Sequence, residues 1–287
     1  SSVFDEAAVV RGVSAGMARA IRRGGDAPVY SIAVEQHRKY VDAIAQRVRS
    51  VIHVPARDDL PDCCFIEDTA VAVGKKILLT RPGARSRREE TKDVELTIKS
   101  EISRFKSAYS VVSMAEESNE DVTLDGGDVL FTGRHCFVGI SSRTNEAGFE
   151  FLRKHFASEF AEGAKSIHAI QVKDDLHLKS LATFAGNDQI AFDDSVGGDH
   201  FVQEVERLIG ATHGYSMHRM SVHEATNVLR VGDALLVSKG CELLPEMQKL
   251  AEMAGVKRQD IVGVENSEFA KADGAITCRS LILPHLF

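Results

Sequence analysis

The chain has 287 residues, of which 44% are hydrophobic and 27% charged, with a formal net charge of -7 and a pI near 5.9. This length exceeds that of most domains, but α/β barrels of similar size fold as one unit, so we expect residues 1–287 to form a single domain. The acidic balance argues against a nucleic-acid surface, and the longest apolar runs fall far short of the ~20 residues that a membrane span needs.

A short hairpin recurs along the chain, and each copy has glycine at its turn. Glycine readily adopts the positive φ that a tight hairpin requires, so these positions predict turns between paired strands. The four hairpins lie at Val71–Leu79, Val129–Ile140, Gly186–Phe192 and Gly232–Val237.

A helix with apolar residues at three- and four-residue spacing is predicted after each hairpin. A further apolar strand then precedes the next hairpin, as at Tyr109–Val112. Four such units with a period of about 50 residues indicate an internally repeated α/β assembly. A fifth unit forms, and closes a ring, if the strand Ala275–Leu283 pairs with Ala8–Val10 and the helix that follows it. The four predicted helices are Asp93–Lys106, Asn145–Phe160, Phe201–Leu208 and Leu244–Ala254.

In a closed ring, loops from all the units meet at one end of the central channel. One such loop is Leu124–Asp128, in which two glycines permit close backbone approach and two aspartates flank them. A calcium loop is rejected here, since the aspartate ladder and the bidentate glutamate of an EF-hand are missing. A plain turn is the alternative for this segment.

Asp62, Glu67 and Asp68 form an acidic cluster near the start of another strand, with no adjacent lysine or arginine. Such carboxylates suit a cation or a guanidinium, because the planar fork of guanidinium donors takes bidentate acceptors. A solvated acidic turn is the alternative.

Cys278 is the candidate nucleophile, because it lies at a predicted strand end and the chain offers it a base. A thiolate nucleophile needs a proton shuttle, and the imidazole of His177 titrates in the required range. Asp125 would then orient the His177 ring, as the third member does in other nucleophile–base–acid arrangements. The alternative for Cys278 is a small buried hydrophobic residue.

Several other motifs predict no site. Gly12–Gly16 matches the nucleophile-elbow pattern, but only eleven residues precede it, too few for the sheet beneath such an elbow. His223 lacks the second histidine of a zinc-protease helix. The five cysteines are odd in number and scattered, which favours a reducing compartment, so we expect the cytosol. Neither cysteines nor histidines have zinc-finger spacing, and we expect no metal.

Seven segments together carry a family resemblance: Leu60–Asp68, Thr80–Ala84, Ser86–Arg88, Thr123–Arg134, Ser142–Asn145, Leu176–Ser180 and Asp273–Ser280. They resemble the dimethylarginine dimethylaminohydrolase family of the guanidine-modifying pentein superfamily. The resemblance covers nearly the whole chain and is weakest between residues 200 and 230.

This resemblance implies a five-fold pseudo-symmetric α/β-propeller of ββαβ units, the pentein fold, as one catalytic domain. It implies hydrolysis of Nω-methylated arginines to citrulline and a methylamine without a cofactor, an activity that in relatives removes inhibitors of nitric-oxide synthesis. Cys278 would be the nucleophile, His177 the general acid/base and Asp125 its orienting partner. Glu67 and Asp68 would line the guanidinium pocket, with Asp68 in direct contact.

The resemblance also implies contacts for the rest of the substrate, while three departures, one of them the insertion-like stretch Glu116–Val122, limit what carries over. Mammalian-type relatives often have a second cysteine after the nucleophile, where this chain has Arg279. The loop Arg23–Ala27, which resembles the segment that covers the pocket, also differs, so the preference among methyl substituents does not carry over. The implied contacts are Asp62, Arg87, Arg143 and Asp273 for the α-amino and α-carboxylate ends, with Phe65 and Ser180 as pocket lining.

Two rival functions use the same features. An arginine deiminase or amidinotransferase would share the cysteine, histidine and carboxylates, although deiminases usually carry an extra helical domain that the sequence does not predict. A catalytically silent arginine-binding regulatory protein would keep the pocket without turnover. The partner expected in each case is a small molecule.

Overall fold

The computed structural model describes residues 6–210, 214–284 and 286, and these form five three-stranded sheets. The strands are β1 (Ala7–Arg11), β2 (Ser50–Val54), β3 (Ala70–Val73), β4 (Lys76–Leu79), β5 (Ser110–Ser113), β6 (Val129–Phe131), β7 (Cys136–Ile140), β8 (Ile167–Gln171), β9 (Ala182–Gly186), β10 (Gln189–Asp193), β11 (Ser216–Met220), β12 (Leu229–Val231), β13 (Ala234–Ser238), β14 (Ile261–Val264) and β15 (Ser280–Leu283). The helices are α1 (Tyr30–Ala45), α2 (Glu90–Phe105), α3 (Glu146–Phe156), α4 (Leu178–Leu181), α5 (Val196–Ile209), α6 (Pro245–Met253) and α7 (Ser267–Ala270).

Each sheet repeats one pattern, which the second unit illustrates. Strands β3 and β4 pair antiparallel through a tight turn at Gly74, whose φ of 56° suits glycine. Strand β5 then pairs parallel to β4, and α2 provides the crossover that a parallel neighbour requires. The predicted order of hairpin, helix and strand is confirmed.

The fifth sheet joins the two ends of the described chain. Strand β15 pairs antiparallel with β1, placing Leu281 opposite Val9, and β1 pairs parallel with β2. This is the ring closure that the sequence predicts. The five-fold pseudo-symmetric α/β-propeller of ββαβ units is therefore confirmed.

The apolar core lies between neighbouring units as well as beneath each helix. Val94 of α2 packs in one cluster with Val9 of β1 and Ile77 of β4, which belong to different sheets. Phe201 of α5 likewise packs with Phe137 of the preceding unit. Each of these helices therefore binds two sheets together, which fixes the loops at the ends of their strands.

A central channel of about 700 Å³ runs between the sheets, and the first strand of each hairpin lines it. These strands are β3, β6, β9, β12 and β15. No helix in the described part of the chain combines the length and apolar character of a membrane span.

Candidate active site

Cys278 lies in a 3-10 turn, Thr277–Arg279, directly before β15. Its side chain is half-buried, whereas the other four cysteines are buried, and all five are free thiols. The Tyr40 hydroxyl of α1 donates to the Ile276 carbonyl at 2.8 Å and lies 2.8 Å from Ser280 Oγ. These bonds fix the backbone on both sides of the sulfur.

His177 stands immediately before α4 and is held by the two aspartates that flank the paired glycines. Its Nε2 lies 2.9 Å from Oδ2 of Asp125, which is fully buried. The other oxygen of Asp125 accepts the Gly83 N–H at 2.8 Å. Asp128, also buried, accepts the Leu178 N–H at 2.9 Å. One aspartate thus orients the ring and the other fixes the backbone that follows it.

The paired glycines are required because side chains would not fit between these groups. A Cβ at Gly126 would lie 2.0 Å from the carbonyl oxygen of Glu67. A Cβ at Gly127 would lie 2.9 Å from both Asp68 Oδ1 and His177 Nδ1. The backbone therefore approaches the acidic segment closely, as the sequence predicts for this loop.

Asp68 brings a carboxylate to the same place. It accepts Arg87 Nη1 at 2.5 Å and the Gly127 N–H at 2.9 Å, and Oδ1 lies 3.9 Å from His177 Nε2. Burial by itself raises the pKa of Asp68, but the charges of His177 and Arg87 lower it to about 2. Asp68 is therefore ionised at neutral pH.

The resting protonation states follow from the same charges. Burial alone lowers the pKa of His177, but Asp68, Asp128 and Asp125 outweigh it and raise that pKa to about 9. Burial raises the pKa of the Cys278 thiol, and the charges of nearby carboxylates raise it further. At neutral pH the site therefore combines an imidazolium with a neutral thiol.

A cavity of about 110 Å³, here called the front cavity, brings these groups together. The predicted residues on its wall are Asp62, Phe65, Asp68, Arg87, Arg143, His177, Asp273 and Cys278. Asp125 contacts the cavity through His177.

The segment 21–23 covers one side of the front cavity and occupies two predicted carboxylates. The Ile21 N–H donates to Asp62 at 3.0 Å. Arg23 donates its N–H to Asp273 at 2.8 Å and its Nε at 3.1 Å. Both aspartates therefore face the cavity with their acceptors engaged by this segment.

The two predicted arginines differ in how far protein groups already engage them. Arg87 is buried and donates to Asp68, to Glu90 at 2.9 Å and to the Phe65 carbonyl at 2.8 Å. Arg143 makes a longer contact, 3.5 Å from Nη1 to Asp125. Arg143 consequently has more donors left for an anionic group in the cavity.

Glu67 and Ser180 lie elsewhere in the described structure, since neither lines the front cavity. Glu67 accepts Lys179 Nζ at 2.5 Å and Thr277 Oγ1 at 2.9 Å, and all three line the central channel. Glu67 and Asp68 diverge because they are consecutive in a 3-10 turn, where neighbours point about 120° apart. Glu67, Lys179 and Thr277 form a partition between the channel and the front cavity.

The front cavity also has walls that sequence reasoning missed. Leu176 and Gly274 are direct neighbours of His177 and Asp273, so proximity in the sequence was the available signal. The remaining wall residues are Ile21, Arg22 and Ala272, together with Arg23, which belongs to the loop that the resemblance places over the pocket.

A cation could be held only by displacing existing charges. Acceptor atoms of Asp68, Asp125 and His177 lie within 4.8 Å of one another. Arg87 already pairs with Asp68, and Arg143 lies 3.5 Å from Asp125. The expectation of no metal stays a prediction.

Comparisons with known proteins agree with this geometry. The arginine deiminase family model matches residues 35–245. The dimethylarginine dimethylaminohydrolase of Streptomyces coelicolor is 33% identical over 261 residues, 90% of this chain and 88% of that protein. The Pseudomonas aeruginosa enzyme is 27% identical over 88% of this chain and 89% of its own. A structure of that enzyme, a cysteine-to-serine variant with citrulline, has a TM-score of 0.78 at 24% identity, covering 96% of this chain and 98% of the solved one.

A ring of five ββαβ units whose loops gather a thiol, an imidazole and carboxylates defines a member of the guanidine-modifying pentein superfamily. Within that class, the 33% identity over 90% of the chain shows the family. The chain belongs to the dimethylarginine dimethylaminohydrolase family and is an amidine-hydrolysing enzyme. The resemblance that its motifs predict is confirmed.

Proposed function

We propose that this enzyme hydrolyses Nω-methylated arginines to citrulline and methylamine or dimethylamine, with Cys278 as nucleophile. One observation carries the proposal: the half-buried thiol of Cys278, the His177 ring and the Asp68 carboxylate share one small cavity. The names of the relatives support the substrate class. Hydrolysis would require no cofactor, because the side chains supply both the nucleophile and the proton donor.

Substrate binding starts the reaction. The guanidinium would lie against Asp68, flanked by Phe65, while Asp62 and Asp273 would take the α-ammonium group after segment 21–23 yields its contacts. Arg143, with Arg87 behind it, would hold the α-carboxylate. A cation beside Cys278 offsets the carboxylate charges that disfavour its ionisation, so the bound substrate itself promotes the thiolate, and the thiol proton passes to solvent because His177 is already protonated.

Two substitutions then complete the cycle. The Cys278 thiolate attacks the guanidinium carbon and forms an S–C bond, and His177 protonates the departing amine as the C–N bond breaks. This leaves an S-alkylthiouronium intermediate. The neutral imidazole next takes a proton from water as that water forms a C–O bond, and the S–C bond of the resulting adduct then breaks to release citrulline and the thiolate, while the second water proton passes to solvent. Asp125 keeps the ring oriented throughout.

The matching of the arginine deiminase model supports a second candidate, hydrolysis of unmodified arginine to citrulline and ammonia. The same thiol, imidazole and carboxylate would serve either substrate. Citrulline release from asymmetric dimethylarginine, monomethylarginine and arginine separates the candidates. A clear preference for arginine would overturn the methylarginine assignment.

The nucleophile is tested by Cys278→Ser, which we expect to lower turnover by roughly 10⁴-fold or more while substrate still binds. Cys241→Ser is the matched control, since that free thiol is buried outside the front cavity. Intact-protein mass spectrometry of quenched turnover should find an adduct on wild type and none on Cys278→Ser. Substantial turnover by the serine variant would support another nucleophile.

The proposal extends to the setting of the enzyme. The pairing of β15 with β1 supports a single catalytic domain over residues 1–287. The five free thiols support a cytosolic location.

A further inference from the structure

Asn227 is a buried residue of the loop between β11 and β12, and its side-chain amide bonds two other parts of the ring. Nδ2 donates to the Lys179 carbonyl at 3.0 Å and to Thr277 Oγ1 at 3.1 Å, and Oδ1 accepts the Thr277 N–H at 2.8 Å. Both donor hydrogens of the amide are therefore used, together with its oxygen. Lys179 precedes β9, Asn227 precedes β12 and Thr277 precedes β15, so one side chain joins segments of three different sheets.

The two segments that the amide bonds carry the thiol and the imidazole. Thr277 begins the 3-10 turn that contains Cys278. Lys179 belongs to α4, which begins directly after His177. Two of the three bonds are made to backbone groups, namely the Lys179 carbonyl and the Thr277 N–H. A bond to a backbone group holds the chain itself, so the amide sets the separation of the two backbones.

Glu67 also links these two segments, but it does so through the ends of their side chains. It accepts Lys179 Nζ at 2.5 Å and Thr277 Oγ1 at 2.9 Å. The lysine ammonium sits on a flexible four-carbon stem, whose rotations absorb small movements of either backbone. Glu67 therefore closes the partition, while Asn227 fixes the separation of the two backbones.

The position of Asn227 is itself fixed by Thr183, a buried residue of β9. Thr183 Oγ1 donates to the Thr226 carbonyl at 2.5 Å and accepts the Val228 N–H at 3.1 Å. These two bonds hold the backbone on both sides of Asn227. The asparagine is therefore anchored to the strand that follows α4, and through its amide the turn at Thr277 is anchored there as well.

We propose that Asn227 is a positioning residue for the reaction, whose amide holds the backbone of Cys278 at a fixed separation from that of His177. The inference rests on the proposed roles of those two residues. Asn227 does not line the front cavity, so it acts through the two segments and not on the substrate. A displacement of about 1 Å between reacting groups costs roughly 10²-fold in rate. Asp62 and Arg143, proposed to hold the substrate, belong to other segments, so loss of the amide should lower kcat and leave KM little changed.

Steady-state hydrolysis of asymmetric dimethylarginine tests this division between kcat and KM. Asn227→Ala removes all three bonds, so kcat should fall about 10²-fold while KM stays within about threefold of wild type. Asn187→Ala is the matched control, since Asn187 Nδ2 also joins neighbouring units, donating to the Ala254 carbonyl at 3.0 Å outside the front cavity. It should lower the melting temperature and leave kcat within about twofold of wild type.

Asn227→Asp provides a second test, because it keeps the shape of the side chain and makes its bonding depend on pH. An ionised carboxylate still accepts the Thr277 N–H but has no proton to donate to the Lys179 carbonyl. Burial, with Glu67 beside the same Thr277 hydroxyl, favours the protonated form, which regains one donor. The ratio of its kcat to that of wild type should therefore rise about tenfold from pH 9 to pH 6. This variant tests the inference alone if Asn227→Ala does not fold.

Four results would overturn the inference. The first is a folded Asn227→Ala whose kcat lies within about threefold of wild type. The second is an equal loss of kcat in Asn187→Ala, which would assign the effect to general destabilisation. The third is a loss of kcat/KM that arises from KM, which would place the amide in substrate binding. The fourth is a ratio for Asn227→Asp that does not change with pH.

Cys278→Ser, measured beside these variants, separates this inference from the proposed function. Turnover by Cys278→Ser would overturn the proposed function and, with it, the role of Asn227. An inactive Cys278→Ser beside a fully active Asn227→Ala would overturn the role of Asn227 alone.

Discussion

The front cavity and the central channel lie on opposite sides of one partition and differ in what they can do. The channel is larger, about 700 Å³ against 110 Å³, yet its walls are mainly strand side chains. The front cavity holds the thiol, the imidazole and the ionised Asp68. Convergence of ionisable groups therefore locates the site better than volume does.

Each member of the partition is a close sequence neighbour of a front-cavity residue. Glu67 precedes Asp68, and Thr277 precedes Cys278. Lys179 follows His177 by two residues. Each of these short segments thus places one side chain in the front cavity and a neighbouring side chain in the partition. The charges of the partition therefore act on the ionisable groups of the front cavity.

The largest effect is expected from removing the imidazole of the front cavity, and its absence would contradict the contrast between the front cavity and the channel. His177→Asn removes the proposed proton donor to the leaving amine, so kcat for citrulline release should fall by about 10³-fold. His218→Asn is the control, because His218 bonds Gln189 in another unit, and it should leave kcat unchanged. Activity of His177→Asn within tenfold of wild type would place the proton donor elsewhere.

Stability should also depend on pH through the front cavity. The pKa of His177 is about 9 in the folded protein, above the ordinary value of 6.5, so its contribution is complete below pH 6.5 and lost as pH rises through 9. The free energy of unfolding of wild type, measured in urea relative to that of His177→Asn, should fall by about 3 kcal/mol across that window. A constant difference between the two proteins would contradict the raised pKa.

The partition should act on the thiol with opposite signs. Lys179→Met leaves Glu67 uncompensated near Cys278, which disfavours the thiolate, while Glu67→Gln removes a negative charge and favours it. Alkylation of Cys278 by iodoacetamide at pH 8 should become roughly threefold slower in the first variant and threefold faster in the second. Shifts in the same direction would show that the partition acts through packing.

The smallest effect is expected from Ser180→Ala, which tests where the wall of the front cavity ends. Ser180→Ala should leave kcat/KM within about twofold of wild type, because Ser180 does not line the front cavity. Steady-state kinetics with asymmetric dimethylarginine check this. A tenfold rise in KM would place the hydroxyl against the substrate, as the family resemblance implies.

The repeated fold was predictable because hairpins and helices carry their own periodicities. Where the side chains do not follow those patterns, the observed bounds of a helix differ from the predicted ones. Helix α5 begins at Val196, five residues before the predicted Phe201, because Ser195 caps it by accepting the Gly198 N–H at 3.2 Å. Gly197 in the first turn argues against a helix in the sequence. In the fold glycine is required there, because a Cβ would lie 2.4 Å from the Lys173 carbonyl oxygen. Tertiary packing thus required a residue that local preference disfavours in helices.

Within the candidate site, the sequence identified which segments meet but not which way each side chain points. The motifs placed Cys278, His177 and Asp68 at loop ends, and the ring brings these three to one cavity. The 3-10 turn that directs the Glu67 side chain into the partition is only four residues long, which is too short for a periodic pattern in the sequence to predict it. Burial of Arg279 was equally hidden, since arginine is ordinarily exposed and only the fold reveals two aromatic rings around it.

The pairing of β15 with β1 ties the timing of synthesis to the appearance of activity. A ribosome-bound chain that has not reached residue 278 has an unpaired edge at β1 and lacks the Cys278 sulfur altogether. Contacts between segments so distant in the chain form late, because loop-closure entropy opposes them until the intervening units have folded. Closure of the ring and arrival of the proposed nucleophile therefore coincide, and chains that end before residue 278 lack both.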